Sequence, residues 1–198
     1  EALEKADKAL RSVGMSLDVV AGKYATQFSG GELQRVSIAR ALITSPKLII
    51  ADEPVAMIDA SMKINIVNLF RKIRDEYGIS FIYVTHDLST AYYVSDYIAT
   101  LYRGSLIEFG PSKEIMEHPA HPYTQLLMNS VPHVGEKWQS SIVMSEAETR
   151  EFTLVTCKFA SRCPYATERC TSSRPPMTEL GDGRSVLCYK PLSNPGKM

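Results

Sequence analysis

The chain has 198 residues, of which 44% are hydrophobic and 22% are charged, which is typical of a soluble globular protein with a real core. The chain has 22 lysines plus arginines and 22 aspartates plus glutamates, so its net charge does not indicate binding to nucleic acid or to an anionic bilayer. No apolar run approaches the roughly 20 residues that span a bilayer, and no signal-peptide pattern is present. These features predict a cytoplasmic protein.

The first predicted element is a helix at the start of the chain. Apolar residues recur at helical spacing from Ala2 to Val13, and Gly14 is a suitable stop. The pattern begins at Glu1 without an initiator Met or a capping residue. We therefore expect the chain to be the C-terminal portion of a longer protein.

A second helix is predicted to follow the SGG motif. Ser29 is its predicted N-cap, Glu32 completes a capping box, and Pro46 closes the helix. Gly30 and Gly31 then lie at a helix N-terminus, where unpaired N–H groups attract a phosphate and no Cβ blocks its approach. This makes SGG a candidate anion cradle, although an ordinary turn is the commoner meaning of such a motif alone.

The next segments predict an α/β fold. Lys47–Ala51 and Ser80–Thr85 are short apolar runs typical of strands that are buried on both faces, and Ala60–Tyr77 between them is helical. A strand, a helix and a strand in this order predict a parallel sheet with a right-handed crossover. Another helix is predicted over Leu88–Val94.

The later segments contain a hairpin, a helix and a linker. Tyr97–Tyr102 and Ser105–Phe109 flank an Arg-Gly turn, which predicts two antiparallel strands. Ser112 is the predicted cap of a further helix. From His133 to Thr149 the composition turns polar without clear periodicity, which predicts a linker.

Ionisable side chains follow both predicted parallel strands. Asp52 and Glu53 end the first strand and His86 follows the second, at the sheet edge where open parallel sheets bind ligands. Asp52 suits Mg²⁺, Glu53 suits the polarisation of an attacking water, and His86 suits a hydrogen bond to a terminal phosphate. A solvated acidic pair and a structural histidine are the alternatives. Asp59 begins the helix that follows, so its role could be that of an N-cap only.

Four motifs together resemble those of ATP-binding cassette (ABC) ATPases. In chain order, FSGGELQRV, LIIADEP, AMID and YVTHD resemble the signature motif, Walker B, the D-loop and the switch histidine. The match covers roughly residues 1–127, and HPYTQLLMNSVP with a four-cysteine tail resembles the oligopeptide and dipeptide importers. The resemblance implies a partial nucleotide-binding domain, with a parallel sheet, flanking helices and part of the helical subdomain. We expect this domain at 1–132, a linker at 133–156 and a small cysteine-rich, loop-rich extension at 157–198.

The resemblance also implies how the site works. In ABC ATPases two cassettes dimerise head to tail, and the signature motif of one contacts the ATP held by the other. Asp52, Glu53 and His86 would then act on the chain's own nucleotide, while Asp59 would couple the two sites. The residues implied to contact the partner's nucleotide are Ser29, Gly30, Gly31, Glu32 and Gln34.

Three departures from the family pattern affect this expectation. Glu32 replaces the more usual Gln of the signature motif, and Ala56 replaces the serine of the D-loop. The phosphate-binding motif G-x-x-x-x-G-K-[ST], Walker A, occurs nowhere in the chain. We therefore expect the isolated chain to be inactive, and its parent protein to be the ATPase.

All four cysteines, Cys157, Cys163, Cys170 and Cys188, lie near the end of the chain. Clustered cytosolic thiols more often bind metal than form disulfides, and their intervals of five, six and seventeen residues differ from the close pairs of zinc sites. The Arg-Cys-Pro segment around Cys163 resembles that of importer ATPases, some of which carry a [4Fe–4S] cluster. The prediction is therefore such a cluster in a structural role, with Zn²⁺ or a metal-free tail as alternatives.

The resemblance implies the ATP-hydrolysing subunit of an ABC importer for oligopeptides, dipeptides or related solutes, which uses ATP and Mg²⁺. Its expected partners are a second ABC ATPase subunit, transmembrane permease subunits and, indirectly, a solute-binding protein, but no nucleic acid. Its expected location is the cytoplasmic face of the cell membrane. The alternative is a non-hydrolytic regulatory or assembly module that uses the signature face and the metal-binding tail.

Overall fold

A computed structural model of the chain describes residues 1–56, 58–130, 150–181 and 183–192. It contains two compact units, Glu1–Val94 and Ser95–Met198. Met57 of the AMID motif and most of the predicted linker at 133–156 lie outside the described residues. The predicted division of the chain at residues 132 and 157 therefore stays a prediction.

The first unit has a parallel pair of strands with helices. Its elements are α1 (Ala2–Ser12), α2 (Leu17–Val20), α3 (Gly30–Leu42), β1 (Leu48–Asp52), α4 (Ala60–Tyr77), β2 (Ser80–Val84) and α5 (Leu88–Val94). The two strands pair in parallel from Leu48 opposite Ser80 to Asp52 opposite Val84. The predicted strand–helix–strand unit is confirmed.

Helix α4 supplies much of the core of this unit. Ile66, Phe70 and Ile73 lie three or four residues apart on one helical face, and each is at most 2% exposed. The ring of Phe70 meets that of Phe81 in β2 edge to face, with 5.2 Å between their centroids. The helix ends at Gly78, whose φ of 64° is the left-handed conformation that glycine adopts without steric cost.

The prediction that both strands are buried on two faces is wrong for the described residues. Leu48 and Ile50 in β1 and Ile82 and Val84 in β2 are 45–67% exposed. The reason is that side chains alternate between the two faces of a strand, and the described helices cover only the face that carries Ala51. We call these four apolar residues the open face.

The second unit contains a four-stranded sheet in the order β3-β4-β6-β5. Its strands are β3 (Tyr97–Tyr102), β4 (Ser105–Pro111), β5 (Met177–Gly181) and β6 (Arg184–Leu187), and its helices are α6 (Ser112–Glu117), α7 (Pro122–Asn129), α8 (Arg150–Thr153) and α9 (Glu168–Ser172). The predicted hairpin of β3 and β4 is confirmed, with Arg103 and Gly104 at φ of 47° and 74° in its turn. Ser112 is the first residue of α6 and not its cap, because Pro111 occupies the cap position.

The cysteine-containing tail has more regular secondary structure than the loop-rich extension that the sequence predicted. Strand β6 pairs with β4, with Glu108 opposite Val186, and β5 pairs with β6. Gly110 permits this approach, since a Cβ there would lie 2.5 Å from Cγ of Arg184. Sequence-distant strands thus join the tail to the predicted hairpin.

A buried polar junction, formed by Glu108 and His121, organises the HPY segment. The carboxylate of Glu108 is fully buried and accepts the N–H groups of Ala120 at 2.6 Å and His121 at 2.9 Å. The ring of His121 is equally enclosed, and its Nδ1 accepts the N–H of Tyr123 at 3.0 Å, which caps α7. Burial raises the pKa of Glu108 and lowers the pKa of His121 from 6.5 to about 4. His121 is therefore neutral at physiological pH.

Among the residues that the structure describes, no helix has both the length and the apolar composition needed to cross a membrane.

Candidate functional site

The predicted site residues Asp52, Glu53 and His86 lie at one edge of the parallel sheet. Asp52 is the last residue of β1, and the N–H of Glu53 donates to the carbonyl of Val84 at 2.9 Å, which extends the strand pairing by one step. His86 follows β2 by two residues. The parallel pairing therefore brings the ends of both strands together, as the sequence predicted.

Glu53 and His86 are in direct contact. Nδ1 of His86 lies 2.8 Å from Oε1 of Glu53, and the two side chains are 81% and 38% exposed. The backbone of Glu53 has a φ of 45°, a conformation that non-glycine residues rarely adopt and that concentrates at functional sites. The main chain is thus held in a costly conformation at the residue whose carboxylate meets the imidazole.

This arrangement has the groups needed to handle a water molecule. If Nδ1 of His86 carries the proton, it donates to the Glu53 carboxylate and leaves Nε2 as a hydrogen-bond acceptor. A carboxylate held in this way is able to accept a proton from a bound water. Asp52 is exposed and shares its strand face with Ile50, so its carboxylate is accessible to a cation.

The turn that carries His86 is fixed by neighbours that sequence reasoning did not single out. Oδ1 of Asp87 accepts the N–H groups of Ser89 at 3.1 Å and Thr90 at 3.3 Å, at the start of α5. Lys63 of α4 lies 3.6 Å from the other oxygen of Asp87. Asp87 just before a predicted helix is a capping signal that the sequence does contain, whereas the contact with Lys63 depends on the packing of α4 beside α5.

The SGG motif forms the predicted start of α3. The hydroxyl of Ser29 accepts the N–H of Glu32 at 3.3 Å, and the Glu32 carboxylate accepts the N–H of Ser29 at 2.9 Å, so the capping box is present. The backbone and hydroxyl hydrogen bonds from Ser29 hold the pKa of Glu32 below its usual value. The carboxylate is thus turned back onto its own helix end. Gly30 is exposed and Gly31 is buried near Met62 of α4.

The last two predicted residues are Gln34 and Asp59. Gln34 is half-buried on α3, and Asp59 precedes α4 as an exposed residue whose side chain makes no capping bond. Within the described part of the chain, no hydrogen bond or ion pair joins Ser29 to Glu53 or His86. The catalytic and binding roles of all these residues stay predictions.

The four cysteines of the second unit converge on one small cavity. Their side chains line a space of about 30 Å³ together with His121, and all four are free thiols. The backbone N–H of Cys157 donates to the carbonyl of Cys170 at 3.1 Å. Burial raises the pKa of the thiols of Cys157, Cys163 and Cys188. These three thiols are therefore harder to ionise than free cysteine as long as no cation compensates their charge.

The donor chemistry of the cavity suits an iron–sulfur cluster, since thiolates are its usual ligands. The geometry is less favourable, because in the described ranges no group of three or more Cys, His, Asp or Glu side chains is arranged to hold a metal ion. The structure therefore shows four thiols at one cavity but no assembled metal site.

Two family models match the chain. Residues 1–56, which contain the SGG motif and the strand ending in Asp52, match the ABC transporter family. Residues 107–170, which contain the HPY segment and three of the cysteines, match the family described as oligopeptide/dipeptide transporter, C-terminal region. Each model covers part of one unit.

Similar proteins are named for peptide transport. YkfD of Bacillus subtilis (strain 168), named an oligopeptide transport ATP-binding protein, is 36% identical over 92% of this chain and 56% of its own length. A protein of Brucella abortus (strain 2308), named a peptide import ATP-binding protein, is 36% identical over 93% of this chain and 55% of its own length. The chain thus spans about half the length of these curated relatives.

A solved structure shares the fold. The ADP conformation of MJ1267, an ATP-binding cassette of an ABC transporter, superposes with a TM-score of 0.55 at 27% identity. The superposition covers 66% of this chain and 51% of the other. The fold is therefore similar to that of an ATP-binding cassette over about two thirds of the chain.

Proposed function

We propose that the chain forms part of the ATP-hydrolysing subunit of an importer for oligopeptides or dipeptides. The basis of the proposal is that the chain belongs to the ATP-binding proteins of ABC transporters. The observation that carries this proposal is the 2.8 Å contact between Glu53 and His86 at the carboxyl edge of the parallel sheet. Membership of this family implies ATP and Mg²⁺ as the nucleotide and the metal ion.

Each residue at the sheet edge has a distinct role in the proposal. Asp52 would hold Mg²⁺, directly or through water, which neutralises charge on the transferred phosphate. Glu53 would orient the attacking water and accept its proton, and His86 would hold Glu53 in place. With both ring nitrogens protonated, His86 would also donate from Nε2 to the terminal phosphate. The contact supports this division, because an imidazole that is mostly exposed keeps its second nitrogen accessible to substrate.

The SGG helix end would serve the nucleotide of a second subunit. Ser29, Gly30 and Gly31 present backbone N–H groups at the N-terminus of a 13-residue helix, where an anion is stabilised. Because Glu32 folds back onto Ser29, its carboxylate satisfies the cap in the absence of phosphate, and an arriving phosphate would have to displace it. Gln34 and Asp59 would complete the contact between the two subunits.

The open face fits the remainder of a larger ATPase domain. Parallel sheets are normally covered on both faces, yet Leu48, Ile50, Ile82 and Val84 are exposed here. The relatives are nearly twice as long as the matched region, and the phosphate-binding motif of such enzymes is absent from this sequence. We infer that the part of the protein that carries this motif packs against the open face.

The proposed partners are a second ABC ATPase subunit, transmembrane permease subunits and, through them, a solute-binding protein. The relatives named for peptide import support this proposal. The proposed location is the cytoplasmic face of the cell membrane, where ATP is available and the permease is accessible.

The proposal is tested with the full-length protein and the substitution Glu53→Gln. Hydrolysis of Mg-ATP and uptake of a labelled peptide should both fall by about 10²–10⁴-fold, since only the proton-accepting carboxylate is lost. Nucleotide binding, measured by calorimetry, should persist. Glu76→Gln in α4 is the control, because Glu76 is exposed and paired with Lys72. Near-normal hydrolysis by Glu53→Gln would refute the role of Glu53, and no hydrolysis by the unmodified full-length protein would favour the regulatory module.

We further propose that Cys157, Cys163, Cys170 and Cys188 hold a [4Fe–4S] cluster, with Zn²⁺ as the alternative. The support is their shared cavity and the chemistry of thiolate ligands. Bound metal would offset the burial that disfavours the thiolates and would stabilise the tail. Anaerobic purification should give about four iron and four sulfide per chain, and each Cys→Ser variant should lose them. Metal content that is unchanged in these variants would exclude the cysteines as ligands.

A further inference from the structure

The second unit contains a larger cavity beside the cysteine cavity. It has a volume of about 290 Å³ and lies between the β3–β4 turn, the segment 154–159 and Arg174-Pro175. This volume is at the lower end of the roughly 300–1,000 Å³ typical of ligand pockets. We call it the anion cavity, because the charged side chains that line it are cations, which attract an anion.

Two cations line the anion cavity, and no Asp or Glu is among the described residues that do so. Nζ of Lys158 donates to the backbone carbonyl of Arg103 at 2.7 Å, so its partner is neutral and its charge is not compensated there. Arg174 is exposed, and in the described ranges no carboxylate pairs with its guanidinium. A guanidinium with an unoccupied fork favours a carboxylate or a phosphate, which it binds through two hydrogen bonds.

The other walls combine an aromatic ring with apolar side chains. Tyr102 is 5% exposed, and within the described residues its hydroxyl has no hydrogen-bond partner. This hydroxyl is itself enclosed by protein, so Tyr102 contributes its ring to the wall. Leu154, Val155 and Leu187 give the cavity an apolar side. The lining thus suits a molecule with one anionic end and one apolar end.

We propose that the anion cavity binds a small organic anion that carries one phosphate or carboxylate group and a short apolar part. The anionic group pairs with Arg174 and Lys158, and the apolar part packs against Leu154 and Leu187. This inference is independent of ATP hydrolysis, because every residue that it uses lies in the second unit.

The test is a titration of the full-length protein followed by backbone amide NMR, with phenyl phosphate and benzoate as probes. Both should shift the amide signals of residues 104–105 and 154–158 and leave those of residues 29–32 unchanged. Benzyl alcohol, which has the ring without the charge, should bind at least about tenfold more weakly, because it lacks the charge-assisted hydrogen bonds.

Matched variants locate the binding groups. Arg174→Gln should raise the dissociation constant of phenyl phosphate about tenfold or more. Arg169→Gln is the control, because Arg169 stacks on Tyr189 with 4.3 Å to the ring centroid and does not line the cavity. It should leave the dissociation constant within about twofold, as expected for a remote surface charge.

Three results would overturn the proposal. The first is the absence of shifts at the cavity amides at about 20 mM probe, a concentration that detects even weak binding. The second is equal affinity for benzyl alcohol and phenyl phosphate. The third is an equal loss of affinity for phenyl phosphate in Arg169→Gln and Arg174→Gln. Amide spectra of each variant without probe show whether it is folded, and a misfolded Arg174→Gln would be replaced by Arg174→Lys, which keeps the charge but loses the fork.

Discussion

Two glutamate–histidine arrangements in this chain show how environment separates a reactive pair from a structural one. Glu53 and His86 contact each other directly, and the imidazole is 81% exposed. Glu108 and His121 are at most 2% exposed, and their polar atoms bind backbone N–H groups of the segment that begins α7. In the buried junction the carboxylate and Nδ1 are committed to the fold, whereas the surface pair keeps atoms accessible to a substrate.

The largest expected effect concerns the charge state of His121. Because burial lowers its pKa from 6.5 to about 4, the unfolded chain binds a proton between these pH values that the folded chain does not. The free energy of unfolding should therefore fall by about 3 kcal/mol as pH drops from 6.5 to 4, since each pKa unit is worth about 1.4 kcal/mol.

Urea unfolding of the wild type and His121→Asn between pH 4 and 7 measures this contribution. Asn keeps an acceptor for the helix cap but does not titrate. The raised pKa of Glu108 gives a slope of opposite sign, because its folded form retains a proton above the usual pKa of a carboxyl. The contribution of Glu108 is the same in both proteins, so it cancels when the variant is compared with the wild type. If the free energy of unfolding had the same pH slope in the two proteins, His121 would not be held neutral.

The next effect is the loss of the buried acceptor in Glu108→Gln. An amide offers one oxygen where the carboxylate accepts two N–H groups, so one of the N–H groups of Ala120 and His121 is left unpaired. The free energy of unfolding at pH 7 should fall by roughly 1–3 kcal/mol. Glu179→Gln on exposed β5 is the control and should change it by less than about 0.5 kcal/mol. If the two substitutions lowered the free energy of unfolding equally, the structural role assigned to Glu108 would be contradicted.

The smallest stability effect is expected at the surface pair. His86→Ala should change the free energy of unfolding by less than about 0.5 kcal/mol, because an exposed hydrogen bond contributes little to stability. The same urea titration measures it. A loss as large as that of Glu108→Gln would mean that His86 supports the fold, and the comparison between the two pairs would fail.

Much of the first unit was predictable because its signals are local. The apolar runs of β1 and β2 and the helical spacing of α4 specified a parallel pair, and parallel strands bring Glu53 and His86 to one edge. The open face was not predictable. The run that contains Leu48 and Ile50 is apolar on both sides, so it does not reveal which face the described helices leave uncovered.

The second unit was less predictable because its contacts are distant in sequence. Glu108 reads as a solvent-facing residue of a hairpin until the N–H groups of the HPY segment, 12 and 13 residues later, turn towards it. Strand β6 pairs with β4 across more than 70 residues, and neither β5 nor β6 has a strong strand pattern of its own. The cysteine spacing predicted that the thiols gather, but it did not specify the geometry of their cavity.

The most direct test of the central claim is a double-mutant cycle on single-turnover ATP hydrolysis by the full-length protein. The rates of the wild type, Glu53→Gln, His86→Ala and the double variant are compared at saturating Mg-ATP. If Glu53 and His86 act as one unit, His86→Ala should slow the wild type but have a much smaller effect once Glu53 is replaced. Effects that multiply to within about twofold would contradict the account, because they would show that the two residues act independently.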